Sequence, residues 1–77
     1  TLRCDNSIMK YIIERFGEDV ITAAYDMTSF RAFVNVELSP TFYGWVFGFG
    51  GKVQILSPAK AKDQYAEMLK SAIETQA

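Results

Sequence analysis

From Phe30 to Leu38 the chain alternates strictly. Phe30, Ala32, Val34, Val36 and Leu38 fall on one side, and Arg31, Phe33, Asn35 and Glu37 on the other. A period of two places successive side chains on opposite faces of a pleated backbone, so this stretch predicts a strand with one core face and one face toward solvent or a partner. Leu2 and Cys4 alternate with Thr1, Arg3 and Asp5 in the same way and predict a short first strand. Val20 to Tyr25 is short and β-compatible, and the Asp, Thr and Ser of "DMTS" turn the chain back after it. "KVQILS" predicts a last strand, with Val53 and Ile55 inward and Lys52 and Gln54 outward.

Two other stretches carry the helical period. In "SIMKYIIERF" Ile8, Ile12 and Phe16 recur every four residues beside Met9 and Ile13, with Asn6 or Ser7 as the cap and Gly17 as the left-handed stop. In the last helix Tyr65, Met68, Leu69, Ala72 and Ile73 form the inner stripe, and Lys60, Lys62, Asp63, Glu67, Lys70 and Glu74 fill the wet side. Ser57 is its expected cap, with Pro58 in the first turn, where the missing N–H costs nothing.

The stretch "SPTFYGWVFGFGG" fits both periods. As a strand, Tyr43, Trp45, Phe47 and Phe49 would make a ladder of rings on one face. As a helix, Phe42, Trp45, Val46 and Phe49 make an i, i+3, i+4, i+7 stripe, with Gly44 and Gly48 one turn apart where another element could approach closely. Two interior glycines cost the helix about 1 kcal/mol each relative to alanine. The ends decide for the helix: Ser39-Pro40 is a cap followed by a first-turn proline, and Gly50-Gly51 is a stop.

The resulting order is strand, helix, strand, strand, helix, strand and an extra helix. That order predicts an α+β fold, a ferredoxin-like βαββαβ sandwich with an additional C-terminal helix, its antiparallel sheet covered on one face. The other face would present Arg3, Thr22, Arg31, Phe33, Asn35 and Gln54.

Composition narrows the function mainly by exclusion. At 77 residues and 49% hydrophobic, the chain is expected to be one small domain spanning 1–77, with a core worth only about 3–5 kcal/mol. Eight basic and nine acidic residues give a net charge of -1, which leaves no electrostatic footprint for general duplex binding. A lone Cys4 and no histidine leave neither an intramolecular disulfide nor the usual zinc ligand sets, and point to a cytoplasmic setting. No apolar run reaches the ~20 residues that span a bilayer, so no membrane association is expected. The chain starts at Thr1, already inside an ordered element, which reads as a fragment of something longer.

"LRCDNSIMKYIIERFGED" and "VNVELSPTFYGWVFGFGGKVQILSPAKAKDQYAEMLKSAIE" together resemble the C-terminal extension, called WCX, of bacterial WYL-domain, helix-turn-helix (DeoR-like) transcriptional regulators. The likeness covers essentially the whole chain and rests on an ordered set of features. These are the strand into "ELSP", the aromatic helix ending in "FGFGG", the strand "KVQILSP" and the closing amphipathic helix. The resemblance implies the C-terminal fragment of a longer regulator, behind a WYL domain and an N-terminal helix-turn-helix in the same chain. DNA would then be contacted only through that N-terminal domain. The domain itself would sense an effector, a small molecule or nucleotide, or shape a homo-oligomer. The family carries no fixed catalytic motif here, so no enzyme activity and no cofactor are implied.

Other chemistries are weaker. The alternative is a stand-alone ferredoxin-like module that binds a ligand or RNA; the glycine-and-aromatic run is similar to the signature of RNA-recognition motifs, which share this element order. In that family, however, the signature lies on the third strand, which here offers only Phe33 as an outward ring. "GFGG" follows a helix and precedes a strand, the reverse of a phosphate-cradling loop. Cys4 reads as a small buried hydrophobe and Glu18-Asp19 as a solvated turn, so no catalytic or metal-ligating residues are assigned. Arg3 and Arg31 stand out, because the first and third strands are central neighbours in this fold. The two guanidiniums, flanking Phe33, could grip an anionic or planar ligand, or could pair with Glu37 or Asp5. The expected ligand or partner surface is therefore Arg3, Arg31, Phe33 and Asn35. The edge strands and exposed Phe33 further suggest self-association.

Overall fold

The computed structural model describes residues 1–77. Strands β1 (Leu2–Asp5), β2 (Ile21–Ala24), β3 (Ser29–Phe33) and β4 (Val53–Ile55) form one sheet in the order β2-β3-β1-β4. Every neighbouring pair is antiparallel. Helix α1 (Met9–Phe16) joins β1 to β2, and α2 (Pro40–Phe47) joins β3 to β4. Helix α3 (Ala59–Gln76) closes the chain. This is the ferredoxin-like arrangement that the order of elements predicts, with the extra C-terminal helix.

The core lies between the sheet and the helices. Leu2 and Cys4 of β1, Phe30 and Ala32 of β3, and Val53 and Ile55 of β4 meet Ile8 and Ile12 from the first crossover, Phe42, Tyr43 and Val46 of α2, and Ala61 of α3. Ile12 and Val46 are sealed completely, and burying a side chain of that size contributes about 1.5–3 kcal/mol relative to leaving it exposed.

The aromatic stretch is helical, and its start follows from Ser39. Its extended backbone lets the hydroxyl accept the Phe42 N–H at 3.2 Å, with Pro40 in the first turn. Gly50 at φ 60 and Gly51 at φ 91 then carry the chain into β4, a conformation that disfavours any residue with a Cβ. The rings are not all buried: Phe47 points outward at 61% exposure, while Trp45 and Phe49 are half-buried. Nor does any element press on Gly44, around which a Cβ would find open space.

Several boundaries differ from expectation. β3 ends at Phe33, and Val34 to Leu38 run on outside the sheet. The last ladder pairs are Leu2 with Ala32 and Ile21 with Phe33, so the alternating pattern continues past its hydrogen-bonding partners. The chain enters α1 through a 3-10 turn over Asn6–Ile8 capped by Asp5, whose carboxylate accepts the Ser7 N–H at 2.9 Å, in place of a cap by Asn6 or Ser7. Ser57 does not cap α3. Its N–H and carbonyl both bond Thr1, which ties it to the start of β1, and Pro58 takes the cap position. In the last turns of α3 the inner stripe loses its cover, leaving Ala72 and Ile73 exposed.

Candidate functional site

No helix covers the second face of the sheet, and cross-strand register decides what stands there. Arg3 is directly opposite Arg31 on one side and Gln54 on the other. Arg31 faces Ala23, and Phe33 faces Ile21. Thr22 does not belong to this face: it pairs with Ala32, which is buried against the helices, so Thr22 shares the covered side and Ile21 and Ala23 take the open one. All four residues of β2, at the edge of the sheet, are nevertheless exposed.

Two like charges directly opposite across a strand pair oppose pairing by about 0.2–1 kcal/mol, and the structure manages this repulsion without a counter-ion. Arg3 Nε donates to Gln54 Oε1 at 2.7 Å. The ring of Tyr25 takes the rest, with the Arg31 guanidinium carbon 4.9 Å and that of Arg3 6.0 Å from its centroid. An aromatic face is the negative end of the ring quadrupole and attracts a cation without neutralising it. The guanidiniums thus flank Tyr25 rather than Phe33, and their partners are Tyr25 and Gln54 in place of Glu37 or Asp5. Asp5 lies on the same strand as Arg3, but its carboxylate is committed to Ser7, whose hydrogen bonds, first from the side chain, hold it below its ordinary value.

Tyr25 reaches this position through the turn that follows it. Asp26 accepts from Ser29 Oγ at 2.6 Å, Thr28 N at 2.9 Å and Thr28 Oγ1 at 3.2 Å, and these bonds, Ser29's first, hold its carboxyl below the usual range. The Tyr25 and Asp26 N–H groups both reach the Ser29 carbonyl. Asn6 fastens the turn from outside, through its side chain to the Met27 carbonyl and its N–H to that of Thr28. The hairpin therefore holds Tyr25 over the two central strands. The alternation of β2 carried one residue further, Ile21, Ala23, Tyr25, is the sequence signal that could have placed it there.

Of the expected surface residues, Arg3, Arg31 and Phe33 share the open face. Asn35 lies beyond the end of β3, where it lines a shallow hollow of about 260 Å³ with Phe33, Ile21, Val34 and Thr1. Asn35 also borders a cleft of about 200 Å³ whose walls include Leu2, Phe42 and Ile55. Cys4 is fully buried, and burial pushes its thiol up to about 11 against the opposing charge of Arg3. A thiol so placed is protonated at neutral pH and shielded from substrate. The ring cluster of α2 is turned on itself and on α1, with Trp45 edge-on to Phe16 at 5.5 Å and to Phe49 at 4.9 Å. It offers no row of free faces for bases. No group of three metal-ligating side chains converges, and no helix is long and apolar enough to cross a membrane.

Compared with known proteins, residues 1–73 match the family model described as the WCX domain. No curated protein and no solved structure matches.

Proposed function

We propose that this chain, which belongs to the WCX domain family, is the C-terminal regulatory domain of a bacterial DNA-binding transcriptional regulator. It acts without catalysis, by sensing an effector, by shaping a homo-oligomer, or by both. WYL and helix-turn-helix domains precede it in the complete protein, which works in the cytoplasm and meets DNA through the helix-turn-helix. The observation that carries this reading, beside family membership, is the uncovered sheet face, where Arg3, Arg31 and Tyr25 are held together on central strands. Both arginines stand on strands that are paired on each side, so a ligand or domain seated there meets the middle of the sheet.

The test is Arg31→Ala in the complete regulator, with operator binding followed by fluorescence anisotropy across an effector titration and with mass measured by light scattering. The expected result is loss of the effector response or of the assembled state. An effector response and a mass both identical to the parent protein's would overturn the reading.

A further inference from the structure

We infer that Arg3, Arg31 and Tyr25 form a binding site for a small oxyanion, a carboxylate or phosphate monoester, whose apolar body lies along Phe33 and Ile21. The inference deepens the regulatory reading of the open face, on which it rests.

The argument starts from charge. The two guanidiniums face each other in register on the central strands, and no carboxylate pairs with either. Asp5 is the nearest acid along the strand; its Oδ1 accepts the Ser7 N–H that caps the turn leading into α1, and no ion pair joins it to Arg3. The face thus holds two cations steadied by a neutral ring and one amide, an arrangement that gains from a bound anion.

The donor geometry fits an oxyanion. Gln54 occupies Nε of Arg3, which fixes the plane of that guanidinium and leaves its terminal N–H groups unpaired. Arg31, over the Tyr25 ring, presents its own. Two guanidiniums with free forks suit the paired oxygens of a carboxylate or phosphate, and each such hydrogen bond is charge-assisted.

The surface next to the cations is apolar. Phe33 follows Arg31 by two residues on the same face of β3, so it stands about 7 Å further along the strand. Phe33 is 43% exposed, Ile21 beside it 69%, and the hollow they share with Asn35 is about 260 Å³. A ligand with a ring-sized apolar body therefore reaches from the arginines to Phe33.

Binding is measured by isothermal titration and thermal unfolding of the complete protein with phenyl phosphate and benzoate, against inorganic phosphate and chloride at matched ionic strength. The expected result is saturable binding of at least one aromatic oxyanion, tighter than inorganic phosphate. Binding should weaken at least tenfold in Arg31→Gln and in Arg3→Gln, each checked for folding by circular dichroism. Arg31→Lys keeps the charge but not the fork and should weaken it several-fold. Tyr25→Phe should keep binding and Tyr25→Ala lose it.

Saturable binding lost in Arg31→Gln but with operator response and assembled mass both unchanged supports the oxyanion site and sinks the regulatory reading. An operator response that depends on Arg31 while neither aromatic probe binds saturably overturns the oxyanion site and leaves the regulatory reading, with an acidic segment of a neighbouring domain as the occupant. Binding equal in Arg31→Gln and the parent also overturns it.

Discussion

The Tyr43 hydroxyl donates to Gln64 Oε1 at 2.7 Å and fastens α2 to α3. The Tyr43 ring also packs beside Tyr65, with centroids 5.7 Å apart, so one residue of the aromatic helix serves both the core and the docking of the C-terminal helix. Tyr43→Phe keeps the ring and removes the hydrogen bond. Its expected cost is about 1 kcal/mol, which lowers the midpoint of thermal unfolding by roughly 4–8 °C in a domain of this size. Amide exchange should rise first in α3, beyond Gln64.

Gly44 and Gly51 should respond to alanine with opposite signs. Gly44 lies inside α2 with open space around its would-be Cβ, so Gly44→Ala gains helix propensity and stabilises by up to about 1 kcal/mol. Gly51 has φ 91, and a side chain there costs on the order of 1–3 kcal/mol although nothing would touch it. Paired urea unfolding curves measure both. A stabilising Gly51→Ala would contradict the structure of the α2–β4 connection.

Two isoleucines on helical stripes differ as sharply. Ile12 is fully buried under the sheet, and Ile12→Ala is expected to remove about 2–5 kcal/mol, close to all the stability a core of this size supplies. Ile73 is 71% exposed, and Ile73→Ala should change stability by less than about 0.5 kcal/mol. Circular dichroism at ambient temperature distinguishes an unfolded Ile12 variant from a folded Ile73 variant.

The two directions of pKa shift predict losses of stability at both ends of the pH scale. The Cys4 thiol is raised in the folded state from 9.0 to about 11, so its contribution is complete below pH 9 and is lost as pH climbs toward 11. Cys4→Ala should flatten the fall of stability across that window relative to the parent. Asp26 is depressed below 3.8 by its bonds to Ser29 and Thr28, so its contribution is present above that value and disappears as pH falls through the lower folded one. Asp26→Ala should lose that acid dependence and, by loosening the hairpin, weaken the hold on Tyr25. Denaturant midpoints from pH 2 to 11 measure both.

The element order was legible because each element has a local cause. Ser39 with Pro40, Gly17, Gly50 and Gly51 act on their own few residues and need no knowledge of the rest of the chain. The strand ending after Phe33 was not legible, since the alternation of Val34 to Leu38 continues where the partner strands do not. Arg3, Arg31 and Phe33 could be placed on one face from alternation alone. Tyr25 was missed because its position follows from a hairpin closed by Asp26, and Thr22 was misplaced because the small residues of β2 mark its covered side weakly, the alternation Ile21, Ala23, Tyr25 being the one signal of its open face.

By itself the sequence determined the succession of strands and helices, the helical state of the aromatic stretch and the family, because capping, glycine stops and side-chain period are properties of neighbouring residues. The tertiary structure alone decided that two arginines 28 residues apart in the chain meet in register over one tyrosine. Register is set by which strands pair and where their ladders begin, and a one-residue slip of either strand would have turned its own guanidinium into the core.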